Sequence, residues 1–162
     1  MKAGPIIVVA GGAAAALALY FLEKGGGSLS QAIATFSADV GIKTGAVDAI
    51  AQAIATAEGF YTHGTRPARD HNPGDMTIDL IGKGVGMDGP FIVYATDDDG
   101  WANLKEQITK WFDGSSANAD SSSTIADLSS FYTNTNQDSW ATNVANALGV
   151  STDTPLSAIG GS

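Results

Sequence analysis

Residues 44–59 read Thr-Gly-Ala-Val-Asp-Ala-Ile-Ala-Gln-Ala-Ile-Ala-Thr-Ala-Glu-Gly, and this stretch decides the predicted fold of the chain. Its apolar residues recur at the spacing of an amphipathic helix; they are Val47, Ile50, Ala51, Ile54 and Ala57. Thr44 is a suitable N-cap, and Gly59 is a suitable residue to stop the helix. We therefore predict a helix from Thr44 to about Glu58 with one buried face.

Glu58 lies on the apolar side of that predicted helix. It follows Ile54 by four positions and Ile50 by eight, so the helical period places its carboxyl among buried side chains. Partial burial raises the pKa of a carboxyl toward neutral pH, which is the property that a general acid needs. The alternative is an ordinary Glu at a frayed helix end that projects into water beside Gly59.

The stretch after Glu58 predicts a loop and then a second long helix. Residues 59–95 are rich in Gly, Pro, Asp and Asn, and the run Phe91-Ile92-Val93-Tyr94 predicts a strand in a small β-hairpin. Thr96 then precedes Asp97-Asp98-Asp99, which places a cap and three carboxylates at the positive end of a helix. The apolar stripe of this helix runs from Trp101 to Phe112.

Two shorter helices complete the predicted domain. One is expected from about Thr124 to Tyr132, and another from about Asp138 to Leu148 with its stop at Gly149. Asp153-Thr154-Pro155 predicts one last turn of helix with Pro at its first position. Residues 44–162 are therefore predicted to form a mainly α (α+β) domain with a small irregular β element.

The N-terminal part predicts a membrane anchor. Residues 5–22 carry no charge, and 18 helical residues reach about 27 Å, close to the roughly 30 Å of a hydrocarbon core. Lys2 on the near side predicts an N-terminus inside and a domain outside. We predict an anchor over 1–24 and a Gly-rich linker with a stalk helix over 25–43, although this helix could also be the first of the domain. A cleavable signal peptide ending near Ala16-Leu17-Ala18 is the alternative.

The composition excludes several classes of function. A net charge of -9 with only eight Lys and Arg residues argues against nucleic acid as a partner. The absence of cysteine excludes disulfides and a thiol nucleophile. His63 and His71 have no third ligand at metal spacing, and the Asp97–Asp99 run lacks the calcium-loop pattern. We predict no metal and no cofactor.

Several blocks of the chain resemble a lysozyme-like family of bacteria and phages. Members of this family carry a helix that ends in a Glu-Gly pair, followed by an Arg-Asn-Asn-Asn-Pro-Gly-Asn type loop. The matching segments here are Ala57–Tyr61 with Gly64, then Arg69–Met76, then Phe91–Thr96 with Asp99–Leu104, and then Thr124–Tyr132 with Leu148–Val150 and Asp153–Leu156. The resemblance covers about residues 44–159, and the order and spacing of its blocks make it more specific than any single motif.

The resemblance implies a lysozyme-like fold and cleavage of the β-1,4 bond between N-acetylmuramic acid and N-acetylglucosamine. It also implies that Glu58, in the Glu-Gly pair, is the catalytic acid. Asn72 and Gly74 are expected in the cleft wall opposite, where an amide can bond a sugar and a glycine permits close backbone approach; a purely structural turn is the alternative. The chain departs from the family at Asp70, His71 and Asp75, where Asn is usual.

The mechanism that follows from the sequence is a choice between two. A hydrolase needs a second carboxylate about 5 to 9.5 Å from the acid, and Asp70 and Asp75 are the nearby candidates. A lytic transglycosylase uses one Glu as acid and then as base, and we favour it. Tyr94 and Tyr132 are candidate cleft residues that could orient sugars by stacking or hydroxyl bonding, with a core position as the alternative for each.

The predicted protein is thus a membrane-anchored enzyme that degrades peptidoglycan. Its expected partners are the glycan strands, the lipid membrane through residues 5–22, and other virion membrane proteins if the source is a phage. The setting is either a virion membrane or a bacterial inner membrane with the domain facing the periplasm. The alternative function is a non-catalytic lysozyme-like protein that binds glycan or packs in a membrane assembly.

Overall fold

The helix predicted around Glu58 is present and is the first element of the described domain. The computed structural model describes residues 44–159, so the predicted anchor (1–24) and the linker with its stalk helix (25–43) lie outside the described residues. The first helix, α1, runs through residues 44–57. Thr44 is itself helical, so the residue that caps α1 also lies outside the described residues.

Gly59 ends α1 by a local hydrogen-bond pattern. It adopts a left-handed backbone with φ of 78°, its N–H donates to the carbonyl of Thr56 at 3.1 Å, and the N–H of Phe60 donates to that of Ala55 at 2.9 Å. This pair of bonds is the Schellman arrangement, and glycine favours it because it has no Cβ. The helix therefore stops directly at Glu58.

A four-residue helix and a β-hairpin follow. The helix α2 spans Arg66–Arg69 and was not predicted. The strands β1 (Gly84–Asp88) and β2 (Phe91–Tyr94) pair antiparallel, with Asp88 opposite Phe91 and Met87 opposite Ile92. The predicted strand is therefore confirmed as β2. A register shift between Gly84 and Gly86 gives the irregularity that the Gly-rich sequence indicated.

Local capping signals place the remaining helices. The helix α3 spans Asp97–Asp113, and the Thr96 side chain accepts a bond from the N–H of Asp99. The helix α4 spans Ile125–Tyr132 behind a capping box formed by Thr124 and Asp127. The helix α5 spans Gln137–Leu148 and ends at Gly149 with φ of 70°. These three predictions are confirmed.

The last element is shorter and tighter than predicted. It is a 3-10 helix over Leu156–Ala158, with Pro155 as its N-cap in an extended conformation. The expectation that Pro155 takes the first helical position is therefore wrong. Pro155 instead forms an isolated antiparallel bridge with Thr124, which ties the end of the domain to the start of α4.

One apolar core joins the four longer helices. Side chains with no exposed surface come from α1, α3, α4, α5 and the 3-10 helix; they are Ile50, Ile54, Leu104, Ile108, Ile125, Leu128, Val144 and Leu156. About half of residues 44–159 are helical, and a single two-stranded sheet is found in the same range. The predicted mainly α class with a small β element is confirmed. Within the same residues, no helix has the length and apolarity needed to cross a membrane.

Candidate active site

Glu58 sits at the point where α1 gives way to a loop, and its backbone is fixed on both sides. Its N–H donates to the carbonyl of Ile54 at 2.9 Å, and the next residue is the left-handed Gly59. The hydroxyl of Thr65 donates toward the Gly59 carbonyl at 2.9 Å. The side chain of Glu58 therefore leaves a rigid helix end.

The carboxyl of Glu58 is partly buried and makes one side-chain hydrogen bond. The indole Nε1 of Trp140 donates to Oε1 of Glu58 at 2.7 Å. Burial raises the pKa of Glu58 from 4.5 to about 7, even though the Trp140 bond lowers it; the charge of Asp75 adds to the rise and that of Arg66 opposes it. Glu58 is therefore half protonated near neutral pH, as the helical pattern predicted for a buried-face carboxyl.

Glu58 lines a cavity of about 700 Å³, which is within the usual size range of small-molecule sites, roughly 300–1,000 Å³. Its wall comes from the end of α1, the 74–78 segment, the hairpin, α3, and the 131–135 segment at the end of α4, with α5 closing it. The lining residues are Glu58, Arg66, Gly74, Asp75, Met76, Thr77, Ile78, Pro90, Phe91, Gln107, Trp111, Asn118, Phe131, Tyr132, Thr133, Asn134, Thr135 and Trp140.

Asp75 is the second carboxylate of this cavity, and Arg66 donates a hydrogen bond to each of its two oxygens. Nε of Arg66 donates to Oδ1 of Asp75 at 2.9 Å, and Nη2 of Arg66 donates to Oδ2. The guanidinium also lies 3.3 Å from the ring centre of Phe91, a cation–π contact that adds to its positioning. Asp75 adopts a left-handed backbone with φ of 48°, a conformation that is uncommon for any residue other than glycine.

Three aromatic side chains form a column beside Glu58. The ring of Tyr132 stacks on Trp140 with centroids 4.7 Å apart and planes at 22°, and it meets Trp111 edge to face at 6.4 Å. Its hydroxyl donates to the sulfur of Met76 at 3.3 Å. Burial and the nearby carboxyls of Glu58 and Asp75 raise the pKa of Tyr132, so this hydroxyl stays protonated at neutral pH.

The prediction that Asn72 contacts a sugar is corrected by its burial. Asn72 has no exposed surface; its Nδ2 donates to the carbonyls of Met76 and Ile92 at 2.9 and 2.8 Å, and its Oδ1 accepts from the N–H of Met76 at 2.8 Å. The amide closes the 72–76 turn through its two bonds with Met76 and ties this turn to β2 through its bond to Ile92. Asn72 therefore has the structural role that the sequence had left as the alternative.

Asp70 and Tyr94 do not line the cavity. Asp70 is therefore corrected as a candidate second carboxylate and cleft residue, and Tyr94 takes the core position that the sequence had left as its alternative. Asp70 is 5% exposed, and its carboxyl lies 3.4 Å from Nε of Arg69; burial raises its pKa. Tyr94 is 1% exposed and lies in β2, and burial raises the pKa of its phenol.

Gly74 and Tyr132 do line the cavity, as predicted for cleft residues, but they contact each other. A side chain at Gly74 would lie 2.8 Å from a methyl of Leu104 and 3.0 Å from the Tyr132 hydroxyl. Glycine is therefore needed at this position to let the turn pack against α3 and Tyr132. Of the predicted site residues, the cavity brings together Glu58, Gly74, Asp75 and Tyr132.

The site contains residues that the sequence did not indicate. Trp140 lies within the helix predicted over 138–148 but had no signal that linked it to a site, because its contact with Glu58 joins residues 82 positions apart. Arg66 lies in the unpredicted helix α2 and had no signal of its own. Phe131 is 50% exposed although it lies in an otherwise apolar stripe, and such an exposed aromatic residue at a cavity rim can be recognised only from coordinates.

No group of three or more His, Asp or Glu side chains that could hold a metal ion is found among residues 44–159. A scan against protein-family models, a search of curated proteins and a search of solved structures each found no match to this chain.

Proposed function

We propose that this protein cleaves the glycan strands of peptidoglycan and that Glu58 is the acid that breaks the β-1,4 bond, in a domain of lysozyme-like fold. The observation that carries the proposal is the state of Glu58, a cavity-lining carboxyl whose pKa is raised to about 7. A carboxyl that is protonated near neutral pH and faces a cavity can donate its proton to the oxygen of a leaving sugar.

The chemistry of the cavity wall suits acetylated sugars. Aromatic rings can stack on the apolar faces of sugar rings, and neutral amides and hydroxyls can bond sugar hydroxyl and acetamido groups. Both kinds of side chain line this cavity; they are Phe91, Phe131, Tyr132, Gln107, Asn118, Asn134, Thr77, Thr133 and Thr135. Among the lining residues the charged side chains are Glu58 and the ion pair of Arg66 with Asp75, so the cavity wall offers no unpaired cation to a phosphate-rich ligand and favours a glycan.

The arrangement of the carboxylates favours a lytic transglycosylase over a hydrolase. A hydrolase needs a second carboxylate that is available to activate water or to attack the sugar. Both oxygens of Asp75 accept hydrogen bonds from Arg66, and Asp70 lies outside the cavity. A bidentate ion pair of this kind engages both oxygens of Asp75, so neither is free to activate water or to attack the sugar, and Glu58 acts alone.

The reaction that one carboxyl can perform has two proton transfers. Glu58 first gives its proton to the glycosidic oxygen as the bond from that oxygen to C1 of N-acetylmuramic acid breaks, with the acetamido group of the same sugar stabilising C1. Glu58, now a carboxylate, then takes the proton of the C6 hydroxyl of that sugar while the C6 oxygen forms a bond to C1. The products are a new hydroxyl end and a 1,6-anhydro end, and no water is consumed.

The proposed location follows from the N-terminal sequence. If residues 5–22 span a membrane with Lys2 inside, the domain lies on the outer side, where a cell wall is found. A virion membrane of a phage that opens the wall at entry and a bacterial inner membrane are both suitable settings. The proposed partners are the glycan strands, the lipid membrane and, in the phage setting, other virion membrane proteins.

The test is cleavage of purified peptidoglycan by the full-length chain in detergent. We expect the wild type to release soluble muropeptides with 1,6-anhydro ends, seen by mass spectrometry, and we expect Glu58→Gln to release them at least about 100-fold more slowly. Glu106→Gln is the matched control, because Glu106 pairs with Lys110 on the surface of α3 and is expected to leave activity unchanged. Reducing ends would replace the transglycosylase by a hydrolase, and glycan binding without any cleavage would favour a non-catalytic protein.

A further inference from the structure

The hydrogen bond between Trp140 and Glu58 distinguishes the two oxygens of the carboxyl. An indole N–H is a donor and has no acceptor capacity, so Oε1 of Glu58 must accept at the 2.7 Å contact. In a neutral carboxylic acid the carbonyl oxygen is the better acceptor, and the proton is on the other oxygen. The bond therefore favours the form of Glu58 in which Oε1 is the carbonyl oxygen and Oε2 carries the proton.

Trp140 is held in place by packing that does not depend on Glu58. It is 7% exposed, lies in the first turn of α5, and stacks on Tyr132 at 4.7 Å. Tyr132 in turn meets the ring of Trp111. A side chain fixed in this way offers its N–H in one direction only, and a preorganised donor of this kind loses little entropy when it bonds a carboxyl.

Few other charged or titratable groups face Glu58. Asp75 and Arg66 act on it from the cavity wall with opposite signs, and they are paired with each other. The hydroxyl of Tyr132 is near enough for the charge of Glu58 to raise the pKa of the phenol, but it donates to Met76. Trp140 is therefore the only side chain among residues 44–159 that the structure shows in a hydrogen bond with Glu58.

We propose that Trp140 is a positioning residue that binds Glu58 through Oε1 and so leaves Oε2 as the atom that gives and takes the proton. This inference rests on the proposed function for the identity of the reaction, but the hydrogen bond and the choice of oxygen are properties of the protein itself. The bond becomes charge-assisted once Glu58 has lost its proton, and such bonds are about twice as strong as neutral ones. Trp140 thus stabilises the carboxylate that the first proton transfer produces.

Spectroscopy of the indole N–H groups tests the hydrogen bond without any substrate. The chain has three tryptophans, so a ¹H–¹⁵N spectrum of the full-length chain in detergent contains three indole signals. We expect one of them to move with a midpoint near pH 7, to disappear in Trp140→Phe, and to become independent of pH in Glu58→Gln. A Trp140 signal that does not titrate there, or one that titrates unchanged in Glu58→Gln, would overturn the proposal.

The pH profile of cleavage tests the effect on proton transfer. Trp140→Phe keeps an aromatic ring against Tyr132 but removes the N–H, so the carboxylate of Glu58 loses its stabilising bond. We expect a lower kcat and an alkaline limb of kcat/KM displaced to higher pH by about one unit. Trp101→Phe is the matched control, because Trp101 packs on Phe60 outside the cavity, and its profile should match that of the wild type.

The two tests separate this inference from the proposed function. If the wild type cleaves no peptidoglycan, the proposed function fails, while the indole titration still decides whether Trp140 holds Glu58 by Oε1. If cleavage depends on Glu58 but the alkaline limb is the same in Trp140→Phe and the wild type, the function stands and the positioning role is contradicted.

Discussion

The turn around Asn72 and the cavity around Glu58 differ in how completely a buried polar side chain is hydrogen-bonded. At Asn72, both the oxygen and the nitrogen of a fully buried amide have backbone partners. At Glu58, a carboxyl is taken out of water and receives a single side-chain bond, from Trp140, while the charge of Asp75 opposes its ionisation. The hydrogen bonds of Asn72 fully replace the water that its amide loses on burial, whereas the single bond to Glu58 does not replace the water lost by its carboxyl.

This difference separates a residue with a structural role, Asn72, from a residue that can take part in catalysis, Glu58. Buried polar groups in folded proteins are nearly always hydrogen-bonded, so Asn72 is what a stable fold requires. A carboxyl whose pKa is shifted by burial costs stability when it is ionised, and such groups cluster at functional sites. The two regions should therefore respond oppositely to substitution, one in stability and the other in activity.

The largest expected effect is the loss of activity in Glu58→Gln. Removal of a general acid costs about 10²- to 10⁴-fold in rate, and we expect a fall of that size in the initial rate of muropeptide release. Because glutamine is neutral at every pH, the same variant should be at least as stable as the wild type in urea at pH 8. A Glu58→Gln variant that keeps its activity or is strongly destabilised would contradict the proposal that Glu58 serves activity and not stability.

Asn72→Ala should have the largest effect on stability. The substitution removes three hydrogen bonds, two that Asn72 donates to the carbonyls of Met76 and Ile92 and one that it accepts from the N–H of Met76. The Met76 carbonyl keeps its bond from the N–H of Ile92, and we expect the free energy of unfolding to fall by about 3 kcal/mol. Urea denaturation of the full-length chain measures it. Asn134→Ala is the control, since Asn134 is exposed; equal stability of the two variants would contradict a structural role for Asn72.

The stability of the wild type should depend on pH in a way that Glu58→Gln does not. Folding raises the pKa of Glu58 from 4.5 to about 7, so the folded state binds this proton more tightly than the unfolded state. The contribution is fully present below pH 4.5 and is lost as the pH rises through about 7, a change of up to about 3 kcal/mol. The difference in unfolding free energy between the two proteins measures it, and parallel pH curves would contradict it.

The smallest expected effect is that of Arg66→Gln. This change removes a positive charge that favours the ionised form of Glu58 and leaves the charge of Asp75 uncompensated, so the pKa of Glu58 should rise further. We expect the alkaline limb of the cleavage profile to move up by less than about one pH unit. In the control Arg69→Gln, the lost partners are Asp70 and Asp88, outside the cavity, and the limb should not move.

Local signals in the sequence predicted most of the fold. Thr96, Thr124 and Gly149 act through bonds to residues a few positions away, so short patterns were enough to place three helices. The four-residue α2 has no period long enough to detect. Pro155 was misplaced because its bridge to Thr124 joins residues 31 positions apart, and no local preference reports a contact of that kind.

Only those residues of the candidate site whose placement depends on neighbouring sequence could be predicted. The helical period placed Glu58 on a buried face, and the structure agrees. The turn that follows it contains Asn72 and Asp75 three positions apart, and the sequence could not tell which of them faces the core. That outcome depends on β2 and on Arg66, which bind the two residues from different sides. The position of Trp140 beside Glu58 likewise depends on the packing of α5 against α4, which the sequence does not report.

The most direct test is the pKa of Glu58 itself, followed by the ¹³C signals of the glutamate carboxyls as the pH of the full-length chain is changed. The chain contains three glutamates, Glu23, Glu58 and Glu106, and Glu58→Gln assigns the relevant signal. We expect this signal to titrate with a midpoint of about 7. A midpoint near the ordinary 4.5 would mean that Glu58 is ionised at neutral pH, and it would contradict the claim that this residue is a poised proton donor.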